Sequence, residues 1–397
     1  ECRRDRHRRR SGRDLQDGIA QPPVVHRTVS GRGDGRRRHP ARRIHDGRTP
    51  RREHERAALR PARARLPPHR RAQRGAQTGH GRRRRSLPEA GDRTRKQLSE
   101  FIDALPKSES VQLIEYLNNS VTFPNSMVDR IVPGTEERHL LLAEERLGVH
   151  DAIPVPAEPF SMWALEDKFI AGRPDWESAG VIFTEHVEQF EIMKLRLLNG
   201  SHSLLAYFGA LHGCETIPDS RFTPIIEEAL RSVLYTEYLP TLQMPQGLNA
   251  DEYIAQLFSR WSNTVLADKT FRVGSDGSTK LPQRITEPVF YLREQGNGTQ
   301  FLALTVAAWL ACIAPINGFG PGPQARAMKD PAQSRLQEFA AQSQTPAELV
   351  ELVFHRGNIF SPELGVIPEF LREISNYLGV ILTQGIESAI HSALQSK

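Results

Sequence analysis

Apolar residues recur at helical spacing along most of the chain beyond residue 95. Leu98, Phe101, Ile102 and Leu105, then Val111, Ile114 and Leu117, predict two helices with Pro106 between them. Ser120 to Pro124 is short and β-branched and predicts a strand, continued after a turn by Met127 to Val132. Ala152 to Phe160 carries Pro154, Pro156 and Pro159 and predicts an extended connection. Beyond Thr184, amphipathic or buried helices are predicted over 187–198, 201–212, 223–237, 250–265, 298–314, 331–341, 346–355 and 366–394. Turn signals such as Gly274-Ser275-Asp276-Gly277, Gly296-Asn297-Gly298 and Gly318–Pro323 separate them.

Composition divides the chain more sharply than periodicity does. The 397 residues carry a net charge of +6, but residues 1–95 hold 30 Arg, no Lys and 10 Asp or Glu. That segment is strongly positive and everything after it is net negative, so the chain as a whole is not a basic nucleic-acid binder. Residues 1–95 also lack Phe, Tyr, Trp, Met and Asn, and contain only two Ile. Too little apolar surface is available there to offset chain entropy, and disorder is expected. Phe, Tyr, Met, Ile, Asn and Lys, all missing or scarce there, have AT-rich codons, whereas Arg, Gly, Pro and Ala dominate GC-rich ones. We read the segment as a GC-rich gene translated in a shifted frame, the native frame resuming near Leu87. The alternative is an Arg-rich arm that binds nucleic-acid phosphates, in a protein without catalytic activity. Against it, no aromatic residue is interleaved for base stacking.

Cys2, Cys214 and Cys312 are far apart and odd in number, which fits no disulfide framework and no structural zinc site. Cys214 and Cys312 lie in apolar runs and read as buried small hydrophobes. The most apolar stretch, Phe301 to Ile316, is shorter than the roughly 20 residues needed to cross a bilayer. The Arg-rich start lacks the apolar core of a signal peptide. A cytoplasmic protein with no metal and no membrane contact is expected. The histidines have no metal-ligand spacing and no HExxH occurs.

The string Lys194-Leu-Arg-Leu-Leu-Asn199-Gly-Ser-His202 carries the strongest chemical signal. On an α-helix Lys194, Asn199 and His202 lie at roughly 0°, 140° and 80°, so they share one arc with His202 in the middle. A base, an amide and an imidazole so placed can converge on a carbinol or carbonyl carbon. The same spacing also accommodates a solvated Lys, a helix-ending Asn-Gly and a satisfied core His.

Other strings, taken in order with this one, carry a resemblance. Phe123-Pro-Asn-Ser-Met-Val-Asp129-Arg130-Ile-Val-Pro133, Glu158-Pro-Phe160, Ala171-Gly-Arg173-Pro-Asp-Trp176-Glu177 and Asp276-Gly-Ser-Thr-Lys280-Leu-Pro-Gln283-Arg284 join Lys194–His202. Together they resemble the mannitol dehydrogenase family of polyol-specific long-chain dehydrogenases/reductases, over about residues 87–397. The family includes mannitol 2-dehydrogenases, arabinitol dehydrogenases, and fructuronate and tagaturonate reductases. The resemblance implies metal-independent hydride transfer between a secondary alcohol and NAD or NADP, with Lys194 as general base. It further implies that Asn199 donates to the alkoxide-like oxygen, that His202 holds a hydroxyl or the reacting oxygen, and that Asp129 binds polyol hydroxyls. Arg272 is implied as a substrate-binding residue, and Lys280 and Arg284 as further candidates. To act near neutral pH, Lys194 needs a pKa well below about 10.4, which burial and a neighbouring cation such as Arg196 or Arg272 would give.

The implied organisation is an Arg-rich segment over 1–86, an α/β remnant of a Rossmann-type domain over 87–160, and a mostly α-helical catalytic domain over 161–397. A monomer acting on a small polyol, ketose or uronate is expected. The family's glycine-rich strand–turn–helix has no counterpart here, since Ser30-Gly-Arg-Gly-Asp-Gly35 has no strand before it. Ser86 and Ala90 stand where the family has two asparagines, so a second amide donor is absent or displaced. Weak or no binding of NAD(H) by the chain as written is therefore expected.

Overall fold

The computed structural model describes residues 89–396. The expectations for segment 1–86, including its disorder and the position of Ser86, lie outside the described residues.

Helices Ala90–Asp103 and Lys107–Ser120 flank Pro106 as the spacing predicts. The second takes in Ser120, and the strand expected over Ser120–Pro124 does not form. Val121 is extended (φ −130°, ψ 134°), but Pro124 offers no N–H to a ladder. Strand β1 begins only at Ser126 (Ser126–Asp129). It pairs antiparallel with β2 (Met162–Glu166), Met127 opposite Ala164. In turn β2 runs parallel to β3 (Val181–Thr184), Trp163 opposite Val181. The sheet order is β1-β2-β3, and it joins strands from both sides of residue 160, so the boundary expected there falls within it. A helix over Glu137–Leu147, which the pattern did not predict, lies between β1 and β2 and buries none of its residues. Large apolar side chains left on the surface concentrate in this first part. Phe101, Val111, Tyr116, Leu141, Leu147 and Ile153 are each more than half exposed.

After Thr184 the chain is helical, and each predicted helix is present within a few residues of its expected ends. Every residue from Phe301 to Ile313 is buried. A helix apolar all round belongs at the centre of a body, and this one packs along the final helix, Pro368–Gln395. Among the described residues no helix is long and apolar enough to cross a membrane. The helix Gly277–Glu294 was not predicted, because Pro282 and Pro288 interrupt its sequence.

Two segments wind more loosely than an α-helix. Lys194–Gly200 continues the helix Val187–Met193 as a π-helix, and Val233–Tyr238 does the same after Pro224–Ser232. The two π-turns pack against each other. Gly200 makes this contact possible: a Cβ there would lie 2.4 Å from both Cζ and Oη of the buried Tyr238.

Candidate active site

The π-turn changes the geometry that the spacing alone implies. An i→i+5 ladder holds more residues per turn than the 3.6 of an α-helix, so residue i+5 comes back over residue i. Asn199 is residue i+5 from Lys194, and the wide arc expected for a regular helix narrows. His202 follows three residues later on the α-helix Ser201–His212. Lys194, Asn199 and His202 therefore share one narrow face, all three half-buried.

Asp129, at the end of β1, is wholly buried beside this face. Its carboxylate accepts two hydrogen bonds from Arg260, Nη2 to Oδ1 at 2.8 Å and Nη1 to Oδ2 at 3.0 Å, and one from the Tyr253 hydroxyl at 2.8 Å. Arg260 also donates to Glu158 through Nε (3.0 and 3.1 Å) and Nη2 (2.8 Å). Glu158 in turn accepts from the Ile131 N–H at 2.5 Å. The guanidinium lies 4.1 Å from the centre of the Phe160 ring. Burial works against the charge on Arg260, but Asp129 and Glu158 more than compensate and hold it protonated beyond its ordinary range. Asp129, expected to bind substrate hydroxyls, accepts three hydrogen bonds within this network.

Lys194 donates from Nζ to the carbonyl of Val128, one residue before Asp129. Burial lowers its pKa below the usual lysine value; Asp129 and Glu158 pull the other way, and Arg260 adds to the lowering. The neighbouring cation is thus Arg260, and not Arg196 or Arg272. Arg196 turns away to donate to Thr241 and to Glu287 (2.9 Å), which fastens the first π-turn just beyond the second. Arg272 pairs with Asp268, Nε to Oδ1 at 2.7 Å.

Burial, followed by the charges of Arg284, Arg260, Lys280 and Lys194, pushes the His202 imidazole down to about 3. It is neutral at physiological pH, able to donate from one nitrogen and accept at the other. Its ring leans on Trp261, with centroids 5.9 Å apart. Arg284 donates to the Ser203 hydroxyl at 2.7 Å, and Lys280 donates to the carbonyls of Val273 (2.9 Å) and Ser275 (2.5 Å). A cavity of about 20 Å³, lined by Ile131, His202, Ile217, Arg260, Trp261 and Asp268, adjoins the imidazole. That is room for about one water, and the buried Trp261 indole N–H in its wall has no hydrogen-bond partner.

Arg260 and Tyr253 were given no role from the sequence, and Glu158 was noted only as part of a motif. One signal was present. Arg260 stands seven residues after Tyr253 on the helix Ala250–Trp261, at the spacing of its buried face with Leu257 and Trp261. A charge on an apolar stripe implies a buried partner.

Neither of the two strand-to-helix turns among the described residues forms a pyrophosphate cradle. The turn from β1 into Glu137–Leu147 has a single glycine and meets the helix at Glu136 and Glu137. The turn from β3 into Val187–Met193 presents Glu185 and Glu188. Carboxylates at both helix starts repel a phosphate where N–H groups would otherwise attract it. Among the described residues no group of three His, Cys, Asp or Glu could hold a metal ion.

Comparison with known proteins gives the family. The family model of the mannitol dehydrogenase Rossmann domain matches residues 87–178, and that of the mannitol dehydrogenase C-terminal domain matches residues 186–382. The chain belongs to the mannitol dehydrogenase family. Among its relatives, the D-mannonate oxidoreductase of Escherichia coli (strain K12) is 38% identical over 271 residues, 68% of this chain and 55% of that protein. The mannitol 2-dehydrogenase of Phaeosphaeria nodorum is 33% identical over 308 residues, 77% of this chain and 52% of that one. The solved Pseudomonas fluorescens mannitol 2-dehydrogenase, a ternary complex with NAD and D-mannitol, is similar at a TM-score of 0.68 and 32% identity. The match covers 79% of this chain and 61% of that one. The chain thus spans between about half and three fifths of the length of these mannitol dehydrogenase relatives.

Proposed function

We propose that this chain carries the substrate half of an NAD(P)-linked oxidoreductase that interconverts a secondary alcohol of a polyol such as mannitol and the corresponding ketose, without a metal. The observation that carries the reading is the π-turn that sets Lys194 and Asn199 on one face, with a neutral His202 beside them. Lys194, its pKa lowered by burial, takes the hydroxyl proton from the carbinol. Asn199 donates to the oxygen as negative charge develops on it, and the neutral imidazole holds that oxygen or a neighbouring hydroxyl. The Asp129–Arg260–Glu158 network fixes β1, whose Val128 carbonyl orients the lysine. A nicotinamide cofactor, when bound, supplies the hydride acceptor.

A second reading within the class is a sugar-acid substrate such as a hexuronate. The cationic side chains of Arg284 and Lys280 near His202 favour it, as does the likeness to a D-mannonate oxidoreductase. The test is a substrate screen with mannitol, arabinitol, mannonate and altronate, each with NAD and NADP. It is run on the chain as written and on a version whose first 86 residues are read in the alternative frame. Lys194→Met in the active version should lower kcat by on the order of 10²–10⁴. The oxidation rate of the unsubstituted enzyme should rise with pH and level off below the ordinary lysine pKa of about 10.4. A rate unaffected by Lys194→Met refutes the assignment. The chain as written should show no micromolar affinity in an NADH fluorescence titration, because the turns that lead from β1 and β3 into helices present carboxylates where a pyrophosphate would sit.

A further inference from the structure

Away from this face, a thiol, an imidazole and a carboxylate lie in line. Helix Ser201–His212 ends at Gly213, whose left-handed backbone (φ 98°) folds the chain back so that the Cys214 N–H reaches the Gly209 carbonyl at 2.8 Å. The Cys214 thiol then lies 3.7 Å from His212 Nδ1 and 3.5 Å from the Thr223 hydroxyl. On the opposite side of the imidazole, Nε2 is 2.7 Å from Oε1 of Glu387. Glu387 follows the break in the final helix at Gly385 (φ 85°, ψ 173°).

The partners fix the proton positions. A carboxylate accepts only, so Nε2 carries a hydrogen toward Glu387, and Nδ1 is left facing the sulfur, where its lone pair can take up the thiol proton. Thr223 spends its hydrogen on the Asp219 carbonyl at 3.0 Å and offers the thiol an acceptor oxygen. The S–H therefore faces two acceptors, one of them a base backed by a carboxylate. The imidazole edge is open, with the His212 side chain 29% exposed, and the cysteine lies at the boundary of burial at 9%. Cys312 is a different case: it is 4% exposed, and burial pushes its thiol well up.

We propose that Cys214 is a reactive thiol, activated by His212 and Glu387, that is reversibly modified by small disulfides. His212 Nδ1 takes the thiol proton and the Cys214 thiolate attacks one sulfur of the disulfide. The S–S bond of the reagent breaks, a mixed disulfide forms on Cys214, and the other sulfur departs as a thiolate, the proton passing from His212 to it or, where the departing thiol is acidic, to water. No further oxidant is needed. The adduct stands beside the wall of the His202 cavity. Thr270 donates to the carbonyls of Cys214 (2.9 Å, Oγ1) and Glu215 (3.0 Å, N–H), and Ile217 N–H donates to the Asp268 carbonyl at 2.8 Å. Ile217 and Asp268 both line that cavity.

The experiment uses the full chain carrying Cys2→Ser, with dithiobis(nitrobenzoate) as the disulfide and release of its coloured thiolate as the readout. One thiol should react in the folded protein, and peptide mapping should place the adduct on Cys214. His212→Asn should slow the reaction by about tenfold or more, and Glu387→Gln by several-fold. Cys312 should stay silent until denaturant is added. A variant in which both thiols react at once has lost its fold, and Glu387→Gln then decides the matter. Unchanged rates in both folded variants, or a fast thiol that persists in Cys214→Ser, overturn the proposal.

Discussion

His202 shows how one side chain ties the proposed site to stability. Its imidazole titrates near 6.5 in an unfolded chain and at about 3 in the fold, where burial and nearby cations oppose the proton. Between those values the unfolded state binds a proton that the native state refuses. This contribution to stability is therefore complete above about pH 6.5 and is lost as the pH falls toward 3. Urea midpoints measured across that window should fall with acidification, and His202→Asn should flatten the fall; an equal slope in both proteins would contradict the assignment. Arg260 carries the larger structural role. Taking away one partner of a buried ion pair costs about 3–5 kcal/mol, and this guanidinium serves two carboxylates. Lys194, Asn199 and His202 stood out in the sequence because a base, an amide and an imidazole punctuate a largely apolar run at a meaningful spacing. Arg260 was passed over because its partners stand more than a hundred positions away, where no local spacing links them to it.

The π-turns carry the corresponding lesson for elements. The same residues suit an α- or a π-winding, and the choice is made by packing: Gly200 admits the Tyr238 ring, and Arg196 fastens to Thr241 and Glu287. Gly200→Ala should therefore destabilise the protein by about 1–3 kcal/mol, as overpacked cores do, read as a lower urea midpoint. Adding Tyr238→Leu should recover part of that loss. No recovery would mean that the glycine is needed for another reason. Helix Gly277–Glu294 was hidden in the sequence for a related reason. Each interior proline costs about 3 kcal/mol, which argues against a helix locally. Leu281, Ile285, Val289 and Leu292 are nevertheless fully buried along one face, each worth about 1.5–3 kcal/mol. Tertiary burial outweighs the local penalty, and no window of sequence displays that sum.

Across the whole molecule, the helical part closes on itself around Phe301–Ile313, whereas the part before Thr184 leaves large apolar side chains facing water. Phe101, Val111, Tyr116, Leu141 and Ile153 sit on helices and connections with little packed over them. Surfaces of this kind adhere to one another, and because apolar hydration is driven by entropy near room temperature, the adhesion strengthens on warming. Light scattering from a concentrated sample should therefore rise on gentle heating, below the unfolding transition, and reverse on cooling. Sulfate should move the onset to lower temperature and low urea to higher. A preparation of this chain will thus keep best cold and dilute, and its cloud point will report on the sheet end of the protein while the helical end is still intact.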